Sequence, residues 1–141
     1  MAVMETNVEL GFRPPILIAE DNPINQKVIE RMVQKLGYPV DLVATGSEAI
    51  DALSRRSYGL VFMDCQMPEV DGFEACREIR KRQLTGPRVP IVAITANAMK
   101  GDRERCLAAG MDDYVSKPFK QDDLRSMIDR WISPEPSAPP S

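Results

Sequence analysis

The chain has no histidine. That removes imidazole bases, imidazole metal ligands and any internal phosphohistidine. Its three cysteines, Cys65, Cys76 and Cys106, are an odd set at spacings that fit neither a zinc site nor a disulfide framework. They read as reduced thiols of a cytoplasmic protein. No apolar stretch approaches the roughly 18 residues that a membrane span needs, so no direct membrane contact is expected. No basic segment followed by an apolar run opens the chain, so no signal peptide is visible. Neither Gly-x-Gly-x-x-Gly nor Gly-x-x-x-x-Gly-Lys-Ser/Thr occurs, which argues against the common nucleotide cradles. Basic surplus is missing too. The 18 Lys and Arg are outnumbered by 21 Asp and Glu, giving a formal charge of -3, so no nucleic acid is expected as a partner.

What is present suits one domain. The 141 residues are 43% apolar and 28% charged, enough for one sizeable core under an ordinary surface. Residues 1 to 14 carry no sustained period and read as an N-terminal arm. Residues 133 to 141 read SPEPSAPPS, with four prolines and no bulky apolar group. Such a segment builds no core and is expected to be an extended linker or tail. A linker there fits a chain cut from something longer. The domain is expected over residues 15 to 132.

Within it, short apolar runs alternate with helical patterns. Ile16-Leu17-Ile18-Ala19 suits a strand buried on both faces. Ile24, Val28, Ile29, Met32, Val33 and Leu36 then recur at helical spacing, with Pro23 at the start and Gly37 at the end. Residues 40 to 44 form a second strand. Ser47 can cap a helix carrying Ala49, Ile50 and Leu53. Leu60-Val61-Phe62-Met63 is a third strand, and Phe73, Cys76 and Ile79 mark a third helix. Ile91-Val92-Ala93-Ile94 is a fourth strand, followed by a helix over about 100 to 109. Tyr114-Val115 is a short fifth strand. Leu124, Met127, Ile128 and Trp131 are the stripe of a last helix. Strict alternation with right-handed crossovers gives an α/β fold, a doubly wound five-stranded parallel sheet. Function on such sheets lies beyond the carboxyl ends of the strands.

The strand ends carry a consistent chemistry. The first strand ends in Glu20-Asp21, the third in Asp64 and the fourth in Thr95. Lys117-Pro118 follows the fifth. Three carboxylates brought together repel one another, so their pKa values rise or a cation joins them. Oxygen ligands without His or Cys favour a hard divalent ion, with Mg2+ the default. Lys117 and Thr95 complete a cradle for a small dianion. The set suits phosphoryl transfer, with Asp64 the natural nucleophile. The bland alternative is that acidic residues merely cap strand ends and Lys117 makes an incidental ion pair. A dehalogenase-like phosphatase would place a second acid two residues after its nucleophile, as general acid and base for turnover. Here that residue is Gln66, which argues for a phosphoryl group that is accepted and held.

The strings Ile18-Ala19-Glu20-Asp21-Asn22, residues 63 to 72 (MDCQMPEVDG), Ile94-Thr95-Ala96 and Lys117-Pro118-Phe119 together resemble the receiver domains of two-component signalling. The resemblance implies the flavodoxin-like receiver fold with strand order 2-1-3-4-5. It implies that Asp64 accepts the phosphoryl group and that Asp21 binds Mg2+ directly. Glu20 would act mainly through water, and Asp64 and the Gln66 backbone carbonyl would supply further ligands. Lys117 would contact the phosphoryl group and Thr95 would be the switch hydroxyl, with Tyr114 its aromatic partner. Pro68 and Gly72 match the turn after the acceptor, and the Lys117-Pro118 bond matches one that is cis in the family. Gln66 and Asn97 match positions that influence attack by water. Neither ionises, so slow self-hydrolysis is expected. Such a domain catalyses its own phosphorylation and slow dephosphorylation but serves mainly as a signalling switch.

The strings at residues 94 to 99 (ITANAM) and 108 to 114 (AAGMDDY) resemble receivers within hybrid sensor histidine kinases. A receiver excised from such a kinase is therefore the expected subtype, with a free-standing single-domain regulator as the alternative. The partner would be a histidine kinase or histidine phosphotransfer domain. The segment from 97 to 105 is mostly charged, and its weak apolar stripe suits a helix that can shift. The face of that helix, the fifth strand and the last helix would then bind partners or dimerise. An FMN-binding module is the alternative of another class on this fold, though an acidic pocket disfavours an anionic cofactor. Cys65 is expected to point away from Asp64, and the basic set Arg77, Arg80, Lys81 and Arg82 to be a solvated helix end.

Overall fold

The apolar runs form strands because both of their faces are covered. A computed structural model describes residues 13–65, 67, 71–82, 88–96 and 100–132. Its strands are β1 (Ile16–Ala19), β2 (Val40–Val43), β3 (Leu60–Asp64), β4 (Ile91–Thr95) and β5 (Asp113–Ser116). Its helices are α1 (Pro23–Lys35), α2 (Gly46–Arg55), α3 (Gly72–Arg82), α4 (Lys100–Ala108) and α5 (Gln121–Trp131). The sheet runs β2-β1-β3-β4-β5, parallel throughout. Every residue of β1, β3 and β4 is buried.

Strand alternation sorts the core into two layers. Ile16, Ile18, Leu60, Phe62, Val92 and Ile94 pack with Ile29 and Val33 of α1 and with Leu124 and Ile128 of α5. Leu17, Val61, Met63, Ile91 and Ala93 pack with Ala49 of α2, with Phe73, Cys76 and Ile79 of α3, and with Cys106 of α4. Cys65 belongs to this second layer, on the opposite side from Leu60 and Phe62, so it does turn away from Asp64. All three cysteines are buried, and burial pushes the Cys76 thiol up to about 11. A thiol held protonated in this way is a packing group, not a nucleophile.

Several local expectations need correction. Only Ile29 and Val33 of the α1 stripe are fully buried; Ile24 is 74% exposed and Val28 42%. The helix packs on the sheet through Ile29 and Val33, while its first two turns leave Ile24 and Val28 open to solvent. The cap of α2 is Thr45, not Ser47. The Thr45 hydroxyl accepts from the Glu48 N–H at 3.1 Å, and the Glu48 carboxylate accepts from the Ala44 N–H at 2.7 Å. Arg80 is not solvated; its guanidinium is held by the Gly110 carbonyl and by Asp112. Helix α4 is better held than its charged sequence suggests, because Cys106 and the following Ala109 and Met111 are buried.

At the start of the described chain, the Arg13 guanidinium donates to the Leu36 carbonyl at 2.7 Å and lies over the Tyr38 ring. Gly37 ends α1 with φ +96°, a conformation that glycine adopts freely. The rest of the expected arm (residues 1 to 12), the Pro-rich segment 133 to 141, and Gln66, Pro68 and residues 97 to 99 lie outside the described residues.

Candidate functional site

The sheet order reverses between β1 and β3, and both strands end in acid. Glu20 follows β1 and is 1% exposed, Asp64 closes β3 at 4%, and Asp21 stands exposed beside them. Carboxylate oxygens of the three lie within 4.8 Å of one another. Beyond β5, Lys117 reaches over with its Nζ 3.5 Å from Asp64 Oδ2 and 3.6 Å from Glu20 Oε1. The Lys117-Pro118 peptide bond is cis. The Lys117 N–H donates to the Thr95 carbonyl at 2.8 Å, which ties the lysine's backbone to the end of β4.

The acidic loop is fixed by the start of α1. The Asn22 side chain caps that helix, accepting from the N–H groups of Ile24 and Asn25. The Asn22 N–H in turn donates to Glu20 Oε2 at 3.1 Å, and the Asn25 amide donates to the same oxygen at 3.4 Å. Gln26 bridges the ends of two strands. Its amide donates to the Glu20 carbonyl at 2.6 Å and reaches the Val43 carbonyl at 3.4 Å. Asn25 and Gln26 were not singled out in the sequence. The available signal was three uncharged amide side chains in five residues directly after an acidic pair.

Glu20 is electrostatically unfinished. Burial raises its pKa, the Asn22 N–H opposes that rise, and the nearby Asp64 charge adds to it. Its Oε1 is buried and, among the described residues, has no hydrogen-bond partner, only the Lys117 ammonium 3.6 Å away. A buried carboxylate oxygen without a hydrogen bond is costly, and a cation is the group that satisfies one beside two other carboxylates. The donor set, oxygen only, fits a hard divalent ion. Glu20, Asp21 and Asp64 therefore make a cluster that can hold a metal ion.

The floor beneath Asp64 is backbone. A Cβ on Gly72 would fall 2.3 Å from the Asp64 carbonyl oxygen and 2.9 Å from Cys65 Cα, so only glycine fits. The Gly72 N–H donates to the Cys65 carbonyl at 3.1 Å. Thr95 is buried at the end of β4, next to Asp64 across the sheet, where the pairing matches Asp64 with Ile94. Tyr114 pairs with Ala93 and packs on the same core layer as that residue. Thr95 follows Ala93 by two, so alternation puts Thr95 and Tyr114 on one face of the sheet. Of the expected site residues, Glu20, Asp21, Asp64 and Lys117 converge, Thr95 borders them, and Tyr114 sits one strand further out. The expected Gln66 carbonyl ligand lies outside the described residues.

Residues 16–129 match the sequence model of the response regulator receiver domain. The chain belongs to that family. As a receiver domain it is 41% identical over 126 residues to the hybrid signal transduction protein dokA of Dictyostelium discoideum, a match covering 89% of this chain and 7% of that protein. It is 36% identical over 153 residues to histidine kinase 5 of Arabidopsis thaliana, covering 91% of this chain and 17% of the kinase. The chain thus spans only a small part of the length of these relatives. Among solved structures it is 53% identical to the receiver domain of the sensor histidine kinase PA1611 from Pseudomonas aeruginosa. That structure has a magnesium ion coordinated in its active-site cleft, and the match has a TM-score of 0.78 over 85% of this chain and 98% of the other. A further match is the receiver domain of Ssk1 in complex with the histidine phosphotransfer protein Ypd1 of Saccharomyces cerevisiae. There the identity is 31% and the TM-score 0.80, over 84% of this chain and 88% of that one. The flavodoxin-like receiver fold is the observed one, and the family sets aside the FMN-binding alternative. No helix among the described residues is long and apolar enough to cross a membrane.

Proposed function

We propose that this receiver domain takes a phosphoryl group from a phosphohistidine onto Asp64, with Mg2+ held by Glu20, Asp21 and Asp64. The observation that carries the reading is the Lys117 ammonium standing within 3.6 Å of both the Asp64 carboxylate and the buried Glu20 Oε1. When bound, the ion supplies charge neutralisation at the carboxylates and at the incoming phosphoryl oxygens. One Asp64 oxygen attacks phosphorus. The bond from phosphorus to the donor's imidazole nitrogen breaks, and that nitrogen keeps the electron pair. An acyl phosphate remains on Asp64. Lys117 offsets the charge that the phosphoryl oxygens bring into the pocket. Thr95 borders those oxygens and is the switch hydroxyl, with Tyr114 on the same sheet face as the side chain that follows it. Incubation with a small phosphodonor and Mg2+ is expected to add one phosphoryl group by intact mass. Asp64→Asn and omission of Mg2+ should each abolish the addition; equal modification of D64N would overturn the assignment.

The donor fits a histidine phosphotransfer protein or the histidine-bearing part of a kinase. A groove of about 340 Å3 lined by Asn25, Val28, Lys117, Pro118 and Phe119 opens beside the pocket, with Ile24 exposed on the same end of α1. Lys117 belongs to both groove and pocket, so a partner seated there brings its phosphohistidine to Asp64. Ile24→Glu is expected to lower the rate from a phosphotransfer protein, relative to that from a small donor, by about tenfold, the cost of losing one apolar anchor. An unchanged ratio would remove α1 from the docking surface. The resemblance to hybrid kinases supports an origin in such a kinase, and three buried cysteines suit the cytoplasm.

A further inference from the structure

We propose that Asn25 is a positioning residue for the metal pocket: its amide holds Glu20 so that Oε1 alone faces the cation. The inference rests on the proposed function, because it assigns one of that pocket's supports. A glutamate carboxylate turns easily about its last torsion and can exchange its two oxygens. Here Oε2 is held on one side by the Asn22 N–H at 3.1 Å and on the other by the Asn25 amide at 3.4 Å. Oε1 is left buried, without a hydrogen bond among the described residues, and turned toward Lys117. The two donors therefore decide which oxygen is available. Asn25 is itself held, since its N–H donates to the Asn22 side chain at 3.1 Å within the helix cap.

The residue type suits the task. A lysine at position 25 would compete with the cation, and an aspartate would add a fourth negative charge. An amide donates to the carboxylate without changing the charge of the pocket. Outer-shell donors of this kind commonly govern metal affinity through the ligand they orient. Asn25 also lines the groove beside Lys117, so the support for Glu20 stands at the edge of the docking surface.

The test measures Mg2+ affinity by amide shift titration for the unaltered protein, Asn25→Ala, Asn25→Leu and the exposed control Gln34→Ala. Asn25→Leu keeps the side chain's branched shape and number of heavy atoms and removes its donor, which covers the case that the alanine variant folds poorly. Both Asn25 variants are expected to bind Mg2+ about tenfold more weakly, at the lower end of outer-shell losses because the Asn22 N–H remains. Their phosphorylation rates are expected to return to about the unaltered value at saturating Mg2+, since only ion binding is weakened. Unchanged Mg2+ affinity in both variants, with melting temperatures preserved, overturns the proposal. So does a rate defect that persists at saturating Mg2+. Absence of Mg2+ binding by the unaltered protein is a different result and overturns the metal reading beneath it.

Discussion

Lys117→Ala is expected to move two properties of the pocket in opposite directions, tightening Mg2+ binding and slowing phosphoryl transfer. The Lys117 ammonium stands 3.5 Å from Asp64 Oδ2 and 3.6 Å from Glu20 Oε1, where it supplies part of the positive charge that the carboxylates call for. Removing it leaves two buried carboxylates facing each other with less compensation. The negative potential then deepens, and a divalent ion should bind about tenfold more tightly or better, given the strength of charge interactions at this separation. The same removal takes away a positive charge aimed at the phosphoryl oxygens. Single groups that stabilise developing charge are commonly worth about 10²-fold or more in rate, so phosphorylation by a small donor should fall by that order. Mg2+ titration and the time course of phosphorylation read the two effects separately. A parallel loss of both would mean that Lys117 supports the pocket's shape rather than its charge.

Arg80→Met should cost the domain far more stability than Arg82→Met, although the two arginines lie two residues apart on α3. Arg80 is largely buried, its side chain 15% exposed, and burial opposes its charge. Its guanidinium donates to the Gly110 carbonyl at 2.9 Å, to the Val89 carbonyl at 2.7 Å and to Asp112 Oδ2 at 2.8 Å. Asp112 Oδ2 also accepts from the Ile91 N–H at 2.9 Å, at the first residue of β4. One side chain thus clamps the end of α3, the entrance of β4 and the turn after α4. Arg82 pairs with Glu78 on the exposed face of the same helix. Breaking a buried pair by removing one partner costs roughly 3 kcal/mol or more; Arg88 also pairs with Asp112 and holds the loss near that lower figure. An exposed i,i+4 pair is worth about 0.5 kcal/mol or less. For a domain of this size the first loss corresponds to a fall in melting temperature of about 10 °C. Equal thermal shifts in the two variants would contradict the clamp.

The two arginines also mark where the sequence stopped being legible. Both sit in one basic run at a helix end, and a solvated end is what that run suggests on its own. What separates them is Asp112, which lies far along the chain and meets Arg80 only after β4 and β5 have paired. Helix α1 raises the same difficulty in reverse. Its apolar stripe reads as a buried face, yet Ile24 and Val28 stay exposed. Periodicity gives the face of a helix, not how much of that face has something to pack on. Thr45 and Ser47 are both competent caps, and the choice depends on where β2 ends. The strands and the acidic pocket were easier to read. Residues buried on both faces leave continuous apolar runs, and in a parallel sheet every strand delivers its last residue to the same edge. Glu20, Asp21, Asp64, Thr95 and Lys117 were therefore placed together by strand ends alone. Asn25 and Gln26 were not, because polar residues in a first helical turn usually face water.

The most direct measurement locates the phosphoryl group chemically. An acyl phosphate is reduced by borohydride to the alcohol, which turns an aspartate into homoserine and leaves an unmodified carboxylate untouched. After phosphorylation with Mg2+, reduction and peptide mass analysis, homoserine is expected at position 64 and nowhere else. Reduction at position 20 or 21, or none at 64 in protein that has gained a phosphoryl group, would contradict the assignment of Asp64 as the acceptor.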